Sequence, residues 1–187
     1  FAFGAKGTIT QSKVSGNICN HPDCGPDFFN QVQGVAILVI EAASGSSISH
    51  SEISNNDIGI IVAGNSGCCK ITNNKLKDNR FFGITIVDGN HTSSHDKISG
   101  GNVGVAAIAI DADTTATLVH DKITSTTTPT QELTCCGFTA EIITIPPNSF
   151  QATQVKSSQQ TNEIQEFVKK KFGGEDINIS SSAVNPF

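Results

Sequence analysis

The feature that most constrains this chain is a weak self-similarity with a period of 22 to 25 residues. The phrases "ISHSEISNNDIGIIV" (Ile48–Val62), "ITNNKLKDNRFFGITIV" (Ile71–Val87), "SSHDKISGGNVGVAAIAI" (Ser93–Ile110) and "LVHDKITSTTT" (Leu118–Thr128) lie in register. Ile53, Leu76, Ile98 and Ile123 then share one column, Ile48, Ile71 and Leu118 a second, and Gly59, Gly83 and Gly104 a third. An earlier copy, "ITQSKVSGNI" (Ile9–Ile18), feeds "GVAILVI" (Gly34–Ile40) after a loop insertion. Each unit holds two or three short β-rich stretches between Asn, Gly, Asp and Ser corners. None has enough apolar residues for a core of its own, so the units must stack. The pattern predicts coils of a solenoid, with Ile, Leu and Val columns inside and neighbouring coils about 4.8 Å apart. Asn17, Asn56 and Asn79 each follow a column residue by three positions, where stacked amides can hydrogen-bond along the axis. Asn also tolerates the left-handed backbone such corners require.

Composition agrees with an all-β chain. Gly, Ser, Thr and Asn are abundant while Met, Trp and Tyr are absent, a bias that suits short strands and tight turns. The repeated "I-x-x-N-x-[IL]-x-x-N" and "G-I-x-[IV]" phrases, over roughly Phe1 to Thr128, resemble the short-repeat form of the right-handed parallel β-helix family, the pectate-lyase-like superfamily. The resemblance implies a right-handed parallel β-helix of five or six coils. It does not choose an activity, because the family includes lyases, hydrolases, epimerases, tailspike modules, adhesins and copper-enzyme maturation proteins. The expected organisation is β-helix coils over 1–150, with more solenoid, a lid or a subunit before Phe1. Residues 151–187 would form a linker, a C-terminal amphipathic helix and a tail. Ile164, Phe167, Val168 and Phe172 fall on one face of that helix, which Gly173–Gly174 stop. It would cap the solenoid or dock a partner.

Three constellations invite chemical readings. "HDKI" occurs twice, at His95–Ile98 and His120–Ile123. With His50 and Asn73 in the same place of other coils, this makes a corner ladder, His–Asn–His–His. The ladder reads first as exposed turn residues produced by repetition, and second as a Cu or Zn patch of His95, His120 and His50, with Asp96 and Asp121 as added carboxylates. Asp88, Asp111 and Asp113 end equivalent apolar runs. They read as strand-terminating turn residues, or as a cluster for Ca2+ or glycosidase-type catalysis. Arg80 is the single Arg. Resemblance to pectate lyases would give it the proton-abstracting role, whereas the three dispersed Asp and Gly-His-Gly of polygalacturonases are not found in that form. The candidate catalytic set is therefore Asp88, Asp111, Asp113 and Arg80, with no cofactor required.

The cysteines form the third constellation. Cys19 and Cys24 flank "NHPD" and are expected to close a local disulfide. The doubled pairs Cys68–Cys69 and Cys135–Cys136 lack zinc-site spacing. One member of each reads as a small buried apolar residue, or else Cys68, Cys69, Cys135 and Cys136 cross-link subunits. A formal net charge of −5, with eleven Lys and one Arg in no long run, argues against nucleic acid, and no apolar run approaches a membrane span. The leading expectation is a non-catalytic, extracellular or cell-surface module that binds carbohydrate or assembles with protein subunits as a homo-oligomer or filament. A polysaccharide lyase or glycoside hydrolase acting on an acidic polysaccharide is the alternative, and a metal-binding protein using the His ladder is the next.

Overall fold

The computed structural model describes residues 4–20, 34–64, 67–152 and 179–180. The first coil is β1 (Thr8–Thr10), β2 (Lys13–Ser15) and β3 (Val35–Ile40); the second is β4 (Ser46–Ser49), β5 (Glu52–Ser54) and β6 (Ile58–Ala63). The third is β7 (Cys69–Thr72), β8 (Lys75–Lys77) and β9 (Phe82–Val87), and the fourth β10 (Asn90–Ser94), β11 (Lys97–Ser99) and β12 (Val103–Ala109). The fifth is β13 (Thr114–Val119), β14 (Lys122–Thr126) and β15 (Thr128–Thr134). β16 (Ala140–Ile145) and β17 (Ser149–Ala152) follow, and β18 (Ile179–Ser180) pairs antiparallel to β15. Every third strand joins the same sheet, giving three sheets of six strands, parallel throughout except for β18. The protein is an all-β parallel solenoid of about 5 turns.

Columns of mostly apolar side chains fill the interior. Ile9, Ile48, Ile71, Ser93 and Leu118 stack in the first sheet. Val14, Ile53, Leu76, Ile98, Ile123 and Phe150 stack in the second, and Ile37, Ile60, Ile84 and Val105 in the third. Most are fully buried, and each buried Ile or Leu contributes about 1.5–3 kcal/mol. Gly59, Gly83 and Gly104 align near the start of the strands of the third sheet. A Cβ on Gly83 would lie 2.6 Å from the Gly104 carbonyl oxygen and 2.7 Å from Cγ2 of Ile98. Close packing of the third sheet on the second column is what requires glycine there.

The corners explain the polar residues. Where the first sheet turns into the second, Gln11, His50, Asn73, His95 and His120 all have positive φ, between 46° and 63° with the other non-Gly residues of this kind. Gly16, Asn55, Asp78 and Gly100 do the same between the second and third sheets, and Glu41, Gly64 and Asp88 between the third and first. At most corners one residue per coil enters the left-handed region, a conformation for which Gly, Asn, Asp and His are favoured. Amide side chains brace the second corner. The Asn17 amide donates to Oδ1 of Asn56 at 2.8 Å, and that of Asn56 to Oδ1 of Asn79 at 2.9 Å.

Two further features complete the architecture. Pro146–Pro147, a cis pair, does not end the solenoid but forms a corner that leads into β17. The third sheet is also buried on its outer face, where Ile58, Ile61, Phe82, Val103, Ala106 and Leu133 form a second apolar cluster. The runs "IGIIVA", "FGITIV" and "VGVAAIA" are apolar at both parities, the pattern of strands buried on both sides. The expected helix around residues 164–172 lies outside the described residues. Among the described residues no helix is long and apolar enough to cross a membrane. Gly83→Ala is expected to destabilise the chain by about 3 kcal/mol in urea unfolding, because no flexible side chain can yield to the new methyl. A loss below about 0.5 kcal/mol would contradict the packing assigned to this glycine.

Candidate functional site

The two halves of each "HD" dipeptide part company at the corner. His95 and His120 are exposed, stacked edge to face with ring centroids 4.9 Å apart, and Nδ1 of His120 lies 3.2 Å from Nε2 of His95. Asp96 and Asp121 instead point inward and are fully buried. They continue a ladder in which a side-chain oxygen from each coil accepts the backbone N–H of the coil before it. Ser51 caps Ser12, Asn74 caps Ser51, Asp96 caps Asn74 at 2.6 Å, Asp121 caps Asp96 at 2.7 Å, and Asn148 caps Asp121. The carboxylates expected to assist a histidine-bound metal are thus committed to backbone amides on the other side of the wall. His50 belongs to the same exposed column, separated from His95 by Asn73.

Burial drives the Asp96 carboxyl up to about 7, opposed by the Asn74 N–H and the Ser93 hydroxyl and reinforced by the nearby Asp121. Burial raises Asp121 as well. Between the ordinary value of 3.8 and about 7 the folded chain therefore holds more protons than the unfolded one, and stability falls as pH rises through that window. Asp96→Asn should keep the Oδ1 cap, as Asn74 does one coil earlier. It is expected to gain on the order of 2 kcal/mol at pH 8 and to flatten most of the decline between pH 5 and 8 in thermal melts. Equal slopes for the two proteins would contradict this.

The acidic trio does not converge on a common point. Oδ1 of Asp88 accepts the backbone N–H groups of Ile110, Asp111 and Ala112, at 2.7, 3.0 and 3.2 Å. Oδ1 of Asp113 accepts both the N–H and the hydroxyl of Thr139, which holds its carboxyl below the usual range. Asp111 is exposed. Arg80 sits at the opposite end of β9 from Asp88, with its Nε 3.5 Å from Oδ1 of buried Asp57 and its guanidinium 4.5 Å from the Phe81 ring centroid. Asp88 and Asp113 thus brace the turns that follow β12 and β15.

The cysteines differ from the cross-linking expectation. Cys68 is bonded to Cys69 and Cys135 to Cys136, so each pair is closed on itself and offers no thiol for an inter-chain bond in this state. Cys68, Cys69 and Cys135 are buried, whereas Cys136 is exposed at a left-handed corner. Cys19 is also disulfide-bonded, and its expected partner Cys24 lies outside the described residues. Cys69 shares a column with His91. Their register follows from the pairing of Ile71 with Ser93.

Lysines form the other feature hidden in the linear sequence. On the outer face of the second sheet, Lys13, Glu52, Lys75, Lys97, Lys122 and Ser149 occupy successive rungs. All four lysines are exposed. Spaced 22 to 25 residues apart for Lys75, Lys97 and Lys122, they make no run in the sequence, yet stand about 4.8 Å apart in space. The stripe arises only from the coil register and not from any run in the sequence. Beyond the histidine corner, the outer face of the first sheet presents hydroxyl columns that include Thr10, Ser49, Thr72 and Ser94. Compared with known proteins, the chain matches no family model, no curated protein and no solved structure.

Proposed function

We propose that this solenoid is a non-catalytic carbohydrate-binding module whose ligand is an acidic polysaccharide lying along the second sheet. The column of Lys75, Lys97 and Lys122 carries the reading. Over the three rungs of Lys75, Lys97 and Lys122, a linear polyanion aligned with the axis meets one ammonium group per rung. The adjacent histidine corner and the hydroxyls of the first sheet offer donors and acceptors for sugar hydroxyls. A net charge of −5 favours a local contact of this kind over attraction to polyanions in general. Cysteines closed as disulfides suit an oxidising extracellular or cell-surface setting. The commitment of Asp88 and Asp113 to backbone N–H groups supports binding over turnover.

Polygalacturonate should bind the chain at low salt and lose most of its affinity as ionic strength rises, since exposed charge pairs are strongly screened. The double substitution Lys97→Glu and Lys122→Glu should weaken binding by about tenfold or more without lowering the melting temperature. Titration calorimetry with polygalacturonate, neutral dextran and a DNA duplex distinguishes the outcomes. Dextran or DNA binding as tightly as polygalacturonate, or an unaffected double variant, would contradict the proposal.

A further inference from the structure

Inside the wall, between the third and fourth coils, lies a cluster that the glycan face does not use. Cys68, Cys69 and His91 are all buried, and one ligand atom from each lies within 4.8 Å of the others. Nε2 of His91 is 2.8 Å from the carbonyl oxygen of Gly64. A carbonyl can only accept, so the ring proton resides on Nε2 and the Nδ1 lone pair is left free. Nδ1 lies 3.9 Å from Sγ of Cys68. The tautomer and orientation of the imidazole are therefore fixed by a backbone partner, the arrangement that usually orients a metal-binding histidine.

We propose that reduction of the Cys68–Cys69 disulfide converts this cluster into a buried binding site for a soft d10 metal ion, cuprous copper, held by two cysteine sulfurs and Nδ1 of His91. The reductant is an external dithiol. One of its thiolates attacks a cysteine sulfur, the S–S bond breaks, and its second thiol releases the mixed disulfide. The dithiol leaves oxidised, and Cys68 and Cys69 each gain one electron and one proton. Cuprous ion then displaces the two thiol protons to solvent and keeps its own oxidation state. Two thiolates and one imidazole suit a soft ion that accepts low coordination numbers, whereas structural zinc calls for a fourth ligand. With the disulfide closed, the sulfurs bond each other and the site does not form. The device is thus a metal site gated by thiol redox state, separate from the exposed ladder of His50, His95 and His120.

The other four cysteines must be removed to read this site alone. The chain carrying Cys19→Ser, Cys24→Ser, Cys135→Ser and Cys136→Ser, reduced with a phosphine under anaerobic conditions and titrated with cuprous ion against a chromogenic chelator, is expected to take up one equivalent. The same chain left oxidised should take up none. His91→Gln should lower the affinity at least tenfold, and adding Cys69→Ser should abolish uptake, with circular dichroism confirming the fold of each. X-ray absorption of the reduced, copper-loaded chain with His91 in place gives an answer that does not depend on a variant folding. Two sulfur and one nitrogen neighbours are expected. Equal uptake by the oxidised chain, an unchanged His91→Gln affinity, or a shell without nitrogen would overturn the proposal.

Discussion

Parallel pairing between successive coils sets each residue over its counterpart one repeat away, at about 4.8 Å along the axis. A substitution that suits one coil is therefore judged against the same place in the coils beside it. Ile53, Leu76, Ile98 and Ile123 can form a core because each closes the gap left by its neighbours. The same register turns isolated polar residues into ladders, with Asn56 held between Asn17 and Asn79 and Asp96 between Asn74 and Asp121. In those ladders side chains satisfy backbone N–H groups that the short strands leave over at the corners, groups that would be costly to bury unpaired.

The columns account for what was legible in the sequence. Ile and Leu recurring at a fixed interval, and glycine before each apolar run, were enough to identify coils and their register. The recurrence of His50, His95 and His120 is explained by the left-handed corner they occupy, with φ near 51°, 58° and 57°. Less legible were features that depend on which side of the wall a residue faces. Lys75, Lys97 and Lys122 are separated by whole coils, and only the pairing of β8, β11 and β14 reveals a stripe. His91 is hidden in the same way, since it belongs to no repeated phrase and only the pairing of β7 with β10 sets it beside Cys69. Asp96 lies next to an exposed histidine yet faces the interior, because the left-handed residue before it reverses the alternation expected of a continuous strand.

The wall consequently separates two kinds of chemistry. Outside, lysines, histidines and hydroxyls stand in rows that match a linear polymer better than a compact substrate. Inside, two buried carboxyls and a disulfide beside a buried histidine are shielded from water, where the protonation of the carboxyls couples to the stability of the stack. Neither set requires a cleft. The geometry of a solenoid supplies order by repetition along a line.

The register itself is the claim on which these assignments rest, and distances along one outward column test it most directly. Nitroxide labels can be placed on Ser47→Cys together with Thr92→Cys, Thr117→Cys or Ile143→Cys, in the absence of reductant. These positions lie two, three and four rungs from Ser47 in the first sheet. The account predicts dipolar distances that grow by about 4.8 Å at each step. Distances that failed to increase in order, or that rose with the number of intervening residues as in an extended chain, would contradict it.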